Sequence, residues 1–251
     1  MTLNRADLAR RLDHSVLKPE STEADILAGA GVVRAWRIGY YCVQPCWVSI
    51  AAAALADTDA RVISVVGFPH GCDVAEVKAR AAAVAVQDGA GEIDMVIDLG
   101  ALKSAHATRV AADIEAVVLA AEGVPVKVIL ETAALTDDEK RLACRLAVDA
   151  GAAFVKTSTG FHPAGGATVA DVLLMRATVG SAVGVKASGG IRSLSDVRAM
   201  LDAGADRIGT SSSAAILQAL TQLPVLFDGR AVSTGELEQA VASGNAGACR
   251  P

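Results

Sequence analysis

Aromatic residues are scarce in this chain, at 3% of 251 positions, and there are only four histidines. The histidines stand at 14, 70, 106 and 162, in no HxH or HExxH pattern, so no metal site and no metal cofactor are expected. The five cysteines (Cys42, Cys46, Cys72, Cys144, Cys249) are odd in number and lack paired metal spacing, which reads as buried or idle cytosolic thiols. Basic runs are also missing. With a formal net charge of −5 and its cations scattered, the chain offers no track for nucleic acid or an anionic membrane. The N-terminus carries Arg5, Asp7, Arg10 and Arg11 in place of an apolar h-region, so no signal peptide and a cytoplasmic location are expected. One uncharged stretch, Ile38 to Ala56, has the length of a membrane span. It contains Gly39, Gln44, Pro45 and Ser49, and Pro45 divides it into a short strand and a helix.

Alanine and valine are what the chain has in quantity, and hydrophobic residues make up 52% of it. That mixture suits close-packed helices around buried parallel strands, which read as short continuous apolar runs. Eight such runs occur: Leu12–Val16, Tyr41–Val43, Val62–Val66, Ile93–Ile97, Val126–Leu130, Phe154–Thr157, Gly184–Ala187 and Arg207–Gly209. Helical segments separate them. In Val74–Gln87 the spacing puts Val74, Val77, Ala81 and Val84 on one face with Lys78 and Arg80 opposite, as expected of a helix covering a sheet. A weak repeat agrees: Asp149-Ala-Gly-Ala and Asp202-Ala-Gly-Ala each precede a strand, with Asp88-Gly-Ala-Gly as a third copy, their glycines free to end a helix at φ > 0. Eight βα units over this length predict a (β/α)₈ barrel with a short N-terminal helix as one domain over residues 1–251. An open doubly wound sheet fits the same pattern. The polar stretch from Ser233 to Pro251 is expected to be loosely ordered.

Only seven lysines occur, and most fall on predicted helix faces or connections. Lys156 and Lys186 stand instead inside buried strand patterns, one βα unit apart, where a lysine needs a carboxylate partner or a task. Two neighbouring ammonium groups disfavour each other's charge, and a neutral amine in an apolar pocket is the nucleophile for a Schiff base. Asp94 is a carboxylate in a third core strand, a structural ion pair or a proton carrier. Ser188-Gly-Gly-Ile-Arg192 and Gly209-Thr-Ser-Ser-Ser213 follow the seventh and eighth strands, where backbone N–H groups and a helix start favour phosphate. Gly29-Ala-Gly31 and Gly89-Ala-Gly91 lack the strand-to-helix context of a dinucleotide loop.

Taken together, Leu12-Asp-His-Ser-Val-Leu-Lys-Pro19, Val66-Gly-Phe-Pro-His-Gly71, Glu92-Ile-Asp-Met-Val-Ile97, Phe154-Val-Lys-Thr-Ser-Thr-Gly-Phe161 and Gly184-Val-Lys-Ala-Ser-Gly-Gly-Ile-Arg192 resemble the deoxyribose-phosphate aldolase family from about Leu12 to Ser213. The resemblance implies a cofactor-free lyase that reversibly cleaves 2-deoxy-D-ribose 5-phosphate to glyceraldehyde 3-phosphate and acetaldehyde. It implies Lys156 as the Schiff-base lysine, Lys186 as the group lowering its pKa, and Asp94 as a proton carrier. By the same matching, Asp13 and Thr159 contact the sugar, while Gly160, Gly189, Gly190, Gly209, Ser211 and Ser212 form the phosphate pocket. It also implies a homodimer. Three departures stand out. Phe161 replaces a lysine of one branch, which implies either a weaker phosphate grip or one supplied by Arg192. Asp98 replaces a common asparagine, and the tail lacks a terminal tyrosine. Two alternatives remain: a different sugar-phosphate barrel, such as an isomerase or a transaldolase-like enzyme, and a sugar-phosphate-binding regulator without chemistry.

Overall fold

The computed structural model describes residues 4–181 and 183–221 throughout, and the backbone of residues 224–227 and 230–233. Eight parallel strands close on themselves: β1 (Leu12–Val16), β2 (Tyr40–Val43), β3 (Arg61–Val66), β4 (Glu92–Val96), β5 (Val126–Ile129), β6 (Phe154–Lys156), β7 (Gly184–Ser188) and β8 (Arg207–Thr210). Closure is explicit in β1, which pairs with β2 through Asp13↔Tyr40 and with β8 through Asp13↔Gly209. This rules out the open sheet. A short α1 (Arg5–Ala9) precedes the barrel. Around it run α2 (Glu23–Trp36), α3 (Val48–Leu55), α4 (Ala75–Gln87), α5 (Leu99–Lys103), α6 (Ala107–Ala120), α7 (Asp137–Asp149), α8 (Val169–Val179), α9 (Leu194–Asp202) and α10 (Ser213–Thr221). A two-stranded antiparallel ribbon, β9 (Pro224–Phe227) and β10 (Arg230–Ser233), follows. Most of the expected loose tail, the absent terminal tyrosine and Cys249 lie outside the described residues.

Local chemistry explains the joints. Thr22, Thr136 and Ser193 each cap a helix reciprocally with the acid three residues on, satisfying free N–H groups at the helix start. In the repeat, Gly89, Gly151 and Gly204 take φ of 104°, 85° and 104°, the left-handed conformation the turn into a strand requires. Pro45 opens a single 3-10 turn between β2 and α3, dividing the uncharged stretch as expected. Among the described residues no helix is long and apolar enough to cross a membrane.

Helix α4 is turned the other way from its expected orientation. Val74, Val77 and Val84 are 61%, 53% and 37% exposed, whereas Lys78, Ala82 and Ala85 face inward. Alanine suits either face, so positions 78, 82 and 85 form an equally good helical stripe with α6 pressed against it. The Lys78 ammonium is fully buried there, donating to Asp113 Oδ2 at 2.6 Å and to the Val96 carbonyl at 3.0 Å. Packing of alanine against α6, with a carboxylate ready for the lysine, outweighs the valines.

Candidate active site

Side chains alternate across a strand, so in a closed barrel every second residue points inward. Glu92 and Asp94, two apart on β4, therefore share the interior, Asp94 nearer the C-terminal end. Register sets Lys127 beside Asp94, Lys156 beside Lys186, and Lys186 beside Arg207. All six side chains, with Asp13 of β1, are buried.

Asp94 is the hub. Its Oδ2 accepts from Lys156 and Lys186, each at 2.7 Å, and its Oδ1 accepts from Lys127 at 2.9 Å. Burial pushes this carboxyl upward, but the three ammonium groups outweigh it and hold the group well below the usual carboxylate range. Below Asp94, Lys127 stands 2.5 Å from Glu92, and Arg207 reaches Glu92 at 3.1 Å and Asp13 at 2.6 Å. Lys186 stands 2.5 Å from Asp13 Oδ2, a charge contact rather than a directed hydrogen bond. The Tyr40 and Phe154 rings lie against the Arg207 guanidinium and floor the assembly. Burial lowers the Lys156 pKa, with Asp94 opposing and Lys186 assisting. Burial acts the same way on Lys186, but Asp13 and Asp94 overturn it and raise that pKa. The two lysines are thus set apart by their carboxylates: Lys186 touches two, Lys156 one.

Over this assembly opens a cleft of about 780 Å³ at the C-terminal ends of the strands. Of the residues singled out in the sequence, Lys156, Lys186, Thr159, Gly160, Gly189, Gly190, Gly209 and Ser211 line it, as does Arg192. Asp94 and Asp13 are buried beneath the lining, and Ser212, next to Ser211 in the chain, is not part of it. Phe161 lines the same wall and packs edge-on against Phe68. Asp98, the residue in place of the common asparagine, caps α5 through the Ala101 N–H and pairs with Arg109 at 2.8 Å. A second cleft of about 740 Å³ lies at the opposite end, ringed by Arg10, Arg34, Arg37 and Arg61, and none of the buried lysines lines it.

The loops expected to hold phosphate are built from backbone. Gly160, Gly189 and Gly190 line the cleft at φ of 84°, 88° and 81°, a left-handed backbone of the kind from which anion-binding nests are formed. The β6 and β7 ends are tied together: the Ser188 N–H donates to Thr157 Oγ, the Thr157 hydroxyl to the Ser188 carbonyl, and the Ser188 hydroxyl to the Ser158 carbonyl. Gly166 lies so close that a Cβ there would stand 2.2 Å from the Gly189 carbonyl oxygen. Thr159 is held from behind by Glu131, whose carboxylate accepts its hydroxyl at 2.5 Å and its N–H at 3.3 Å. The Thr159 oxygen in turn accepts the Phe161 N–H at 3.0 Å. Among the described residues no three His, Cys, Asp or Glu side chains gather so as to hold a metal ion.

Sequence reasoning missed Lys127, Glu92, Arg207, Glu131 and His14. Lys127 lies within a recognised strand, so the test that singled out Lys156 would have found it. Glu92 stands two residues before Asp94 on one strand face, the same signal. Neutral His14 lines the cleft, its Nδ1 3.2 Å from the Ser213 hydroxyl, its pKa pushed down to about 4 by burial. Glu131 sits outside any strand, and its one signal in the sequence is the Glu131-Thr pair, which belongs to the family resemblance.

Comparison with known proteins agrees with this geometry. Residues 11–219 match the family described as DeoC/LacD family aldolase. A protein of Enterococcus faecalis named deoxyribose-phosphate aldolase is 52% identical over 216 residues, covering 86% of this chain and 98% of that one. A crystal structure described as a putative deoxyribose-phosphate aldolase from Coccidioides immitis superposes with TM-score 0.84 at 39% identity, covering 86% of this chain and 87% of that one. The Aeropyrum pernix deoxyribose phosphate aldolase, described as having a unique tetrameric structure, superposes with TM-score 0.80 at 33% identity over 86% and 92% of the two chains.

Proposed function

The chain belongs to the DeoC/LacD family of aldolases, and on that premise we propose that it reversibly cleaves 2-deoxy-D-ribose 5-phosphate through a Schiff base on Lys156. The observation that carries this reading is the pair of lysines on one Asp94 oxygen at the cleft floor, the less compensated of them with a lowered pKa. In the proposed reaction, neutral Lys156 adds to the sugar aldehyde and loses water to give an iminium. A base removes the proton from the C3 hydroxyl, the C2–C3 bond breaks, and its electrons flow into the iminium to form an enamine. Glyceraldehyde 3-phosphate leaves; the enamine carbon takes a proton, and water releases acetaldehyde and the amine. Asp94 and Lys186 are the groups placed to move protons at that carbon and oxygen. The N–H groups of Gly160, Gly189, Gly190, Gly209, Ser211 and Ser212, with the Arg192 side chain, hold the phosphate. Asp13 acts on the sugar through Lys186, and Thr159 walls the cleft beside it. No step calls for a cofactor. The tetrameric description of the Aeropyrum pernix relative supports self-association, for which we retain the dimer as the working assembly. Borohydride reduction with substrate is expected to add mass to the peptide containing Lys156. Mass on the Lys186 peptide would reverse the roles, and no trapped adduct with turnover intact would sink the amine mechanism.

A further inference from the structure

Seven charged side chains fill the lower barrel, and their contacts form a circuit. From Asp94 the chain of ion pairs runs to Lys186 at 2.7 Å, to Asp13 at 2.5 Å and to Arg207 at 2.6 Å. It continues to Glu92 at 3.1 Å, to Lys127 at 2.5 Å and back to Asp94 at 2.9 Å. The six members alternate in sign, three carboxylates with three cations, and the ring closes with no net charge. Lys156 is outside it, attached only through Asp94 Oδ2. It is the fourth cation against three anions.

We infer that this closed ring selects the nucleophile: Lys127, Glu92 and Arg207 act as positioning residues that leave Lys156 the one surplus cation and so the amine that gives up its proton. The inference rests on the Schiff-base reading above and deepens it. A net positive charge buried this deeply is costly, and release of one proton removes it. Lys186 and Lys127 each touch two carboxylates, and Arg207 keeps its proton in proteins, so the proton leaves from Lys156. The other groups facing Lys156 do not disturb the count. The Cys42 thiol on β2 is pushed up to about 11 by burial and stays neutral, His14 on β1 is neutral, and the Glu131 carboxylate beyond β5 contacts Thr159 and makes no ion pair with Lys156 or with any member of the ring. Proximity of Lys186 alone would not choose between the two lysines. The circuit does.

The test is the acidic limb of the rate profile for deoxyribose 5-phosphate cleavage, with the rate of borohydride trapping at Lys156 followed over the same pH range. Lys127→Gln removes one cation while keeping amide donors for Glu92 and Asp94. The interior then holds three of each sign, Lys156 keeps its proton, and the limb moves to higher pH. The shift expected is roughly one to two pH units, that of a unit charge acting across one carboxylate at an effective dielectric near 20. Lys127→Arg retains the charge and is expected to leave the limb in place. Lys127→Gln/Glu92→Gln removes one charge of each sign, restores the surplus, and is expected to bring the limb back toward its original position. Should Lys127→Gln fail to fold, Arg207→Gln removes the second ring cation and is read in the same way. A limb unmoved in the folded single variant, or displaced further in the double variant, overturns the ring's role. Trapping at Lys156 with an unmoved limb rejects the ring alone, whereas wild-type trapping at another residue rejects the reading beneath it.

Discussion

Glu131 never touches the cleft, yet its loss is expected to damage binding of the phosphate. Its carboxylate accepts the Thr159 hydroxyl at 2.5 Å and the Thr159 N–H at 3.3 Å, and through Thr159 fixes the turn at Gly160 and Phe161. A hydrogen bond to a charged group contributes about 1.5–3 kcal/mol. In Glu131→Ala water restores part of this, leaving a loss of about 2 kcal/mol in loop order, which corresponds to roughly a 30-fold rise in KM. The rise is expected for deoxyribose 5-phosphate, with little change in kcat and little change in KM for unphosphorylated deoxyribose. Glu131→Gln, a neutral acceptor, is expected to fall between, since charge-assisted bonds are about twice as strong as neutral ones. Glu131 also sits at φ 56°, a left-handed conformation costing about 1–2 kcal/mol for a residue with a Cβ. Glu131→Gly therefore separates the two effects: more stable to urea than Glu131→Ala by about 1 kcal/mol, but equally impaired in KM. Equal KM increases for both substrates, or none for either, would refute the assignment of Glu131 to the phosphate loop.

Two further outcomes are expected. Gly190 lies at φ 81° with open space where a Cβ would stand, so Gly190→Leu strains the backbone and puts a bulky side chain at the cleft wall. Steady-state kinetics should show its KM rising far more for the phosphorylated sugar than for deoxyribose, and equal losses would move the phosphate elsewhere. Lys78→Met strands the buried Asp113 carboxylate and is expected to lower unfolding free energy by about 3–5 kcal/mol in urea titration. Turnover per folded molecule should persist and much of the stability return in Lys78→Met/Asp113→Leu, whereas lost turnover in folded protein would tie α4 to the chemistry.

The barrel was legible because its strands are continuous apolar runs: each of the eight expected segments overlaps an observed strand, Leu12–Val16 residue for residue. Closure was not, because pairing of β1 with β8 joins positions nearly two hundred residues apart and leaves no local mark. Lys156, Lys186 and Asp94 were legible for the reason that makes them effective: a charge in an apolar strand has no bland place to go. Lys127 carries the same mark, a charge inside the recognised apolar strand Val126–Leu130. Lys78 is the harder case. Helical periodicity gives two candidate stripes, and only the presence of Asp113 on the neighbouring helix decides between them, a contact 35 positions away in the chain. Glu131 works through a left-handed turn, and such a conformation in a non-glycine residue has no signature in sequence.

An interior holding seven charges is also a limit on how heat-resistant this barrel can become by improving its core. Replacing buried ion networks with well-packed apolar side chains commonly stabilises a protein, by about 1–4 kcal/mol. Stability-guided redesign would therefore be drawn to Glu92, Lys127 and Arg207, and it would displace the acidic limb and lower turnover near neutral pH while reporting success in the melting curve. Gains in thermal tolerance have to come from the outer ring of helices, where the exposed valines of α4 and its surroundings can be exchanged without reaching the barrel's charges.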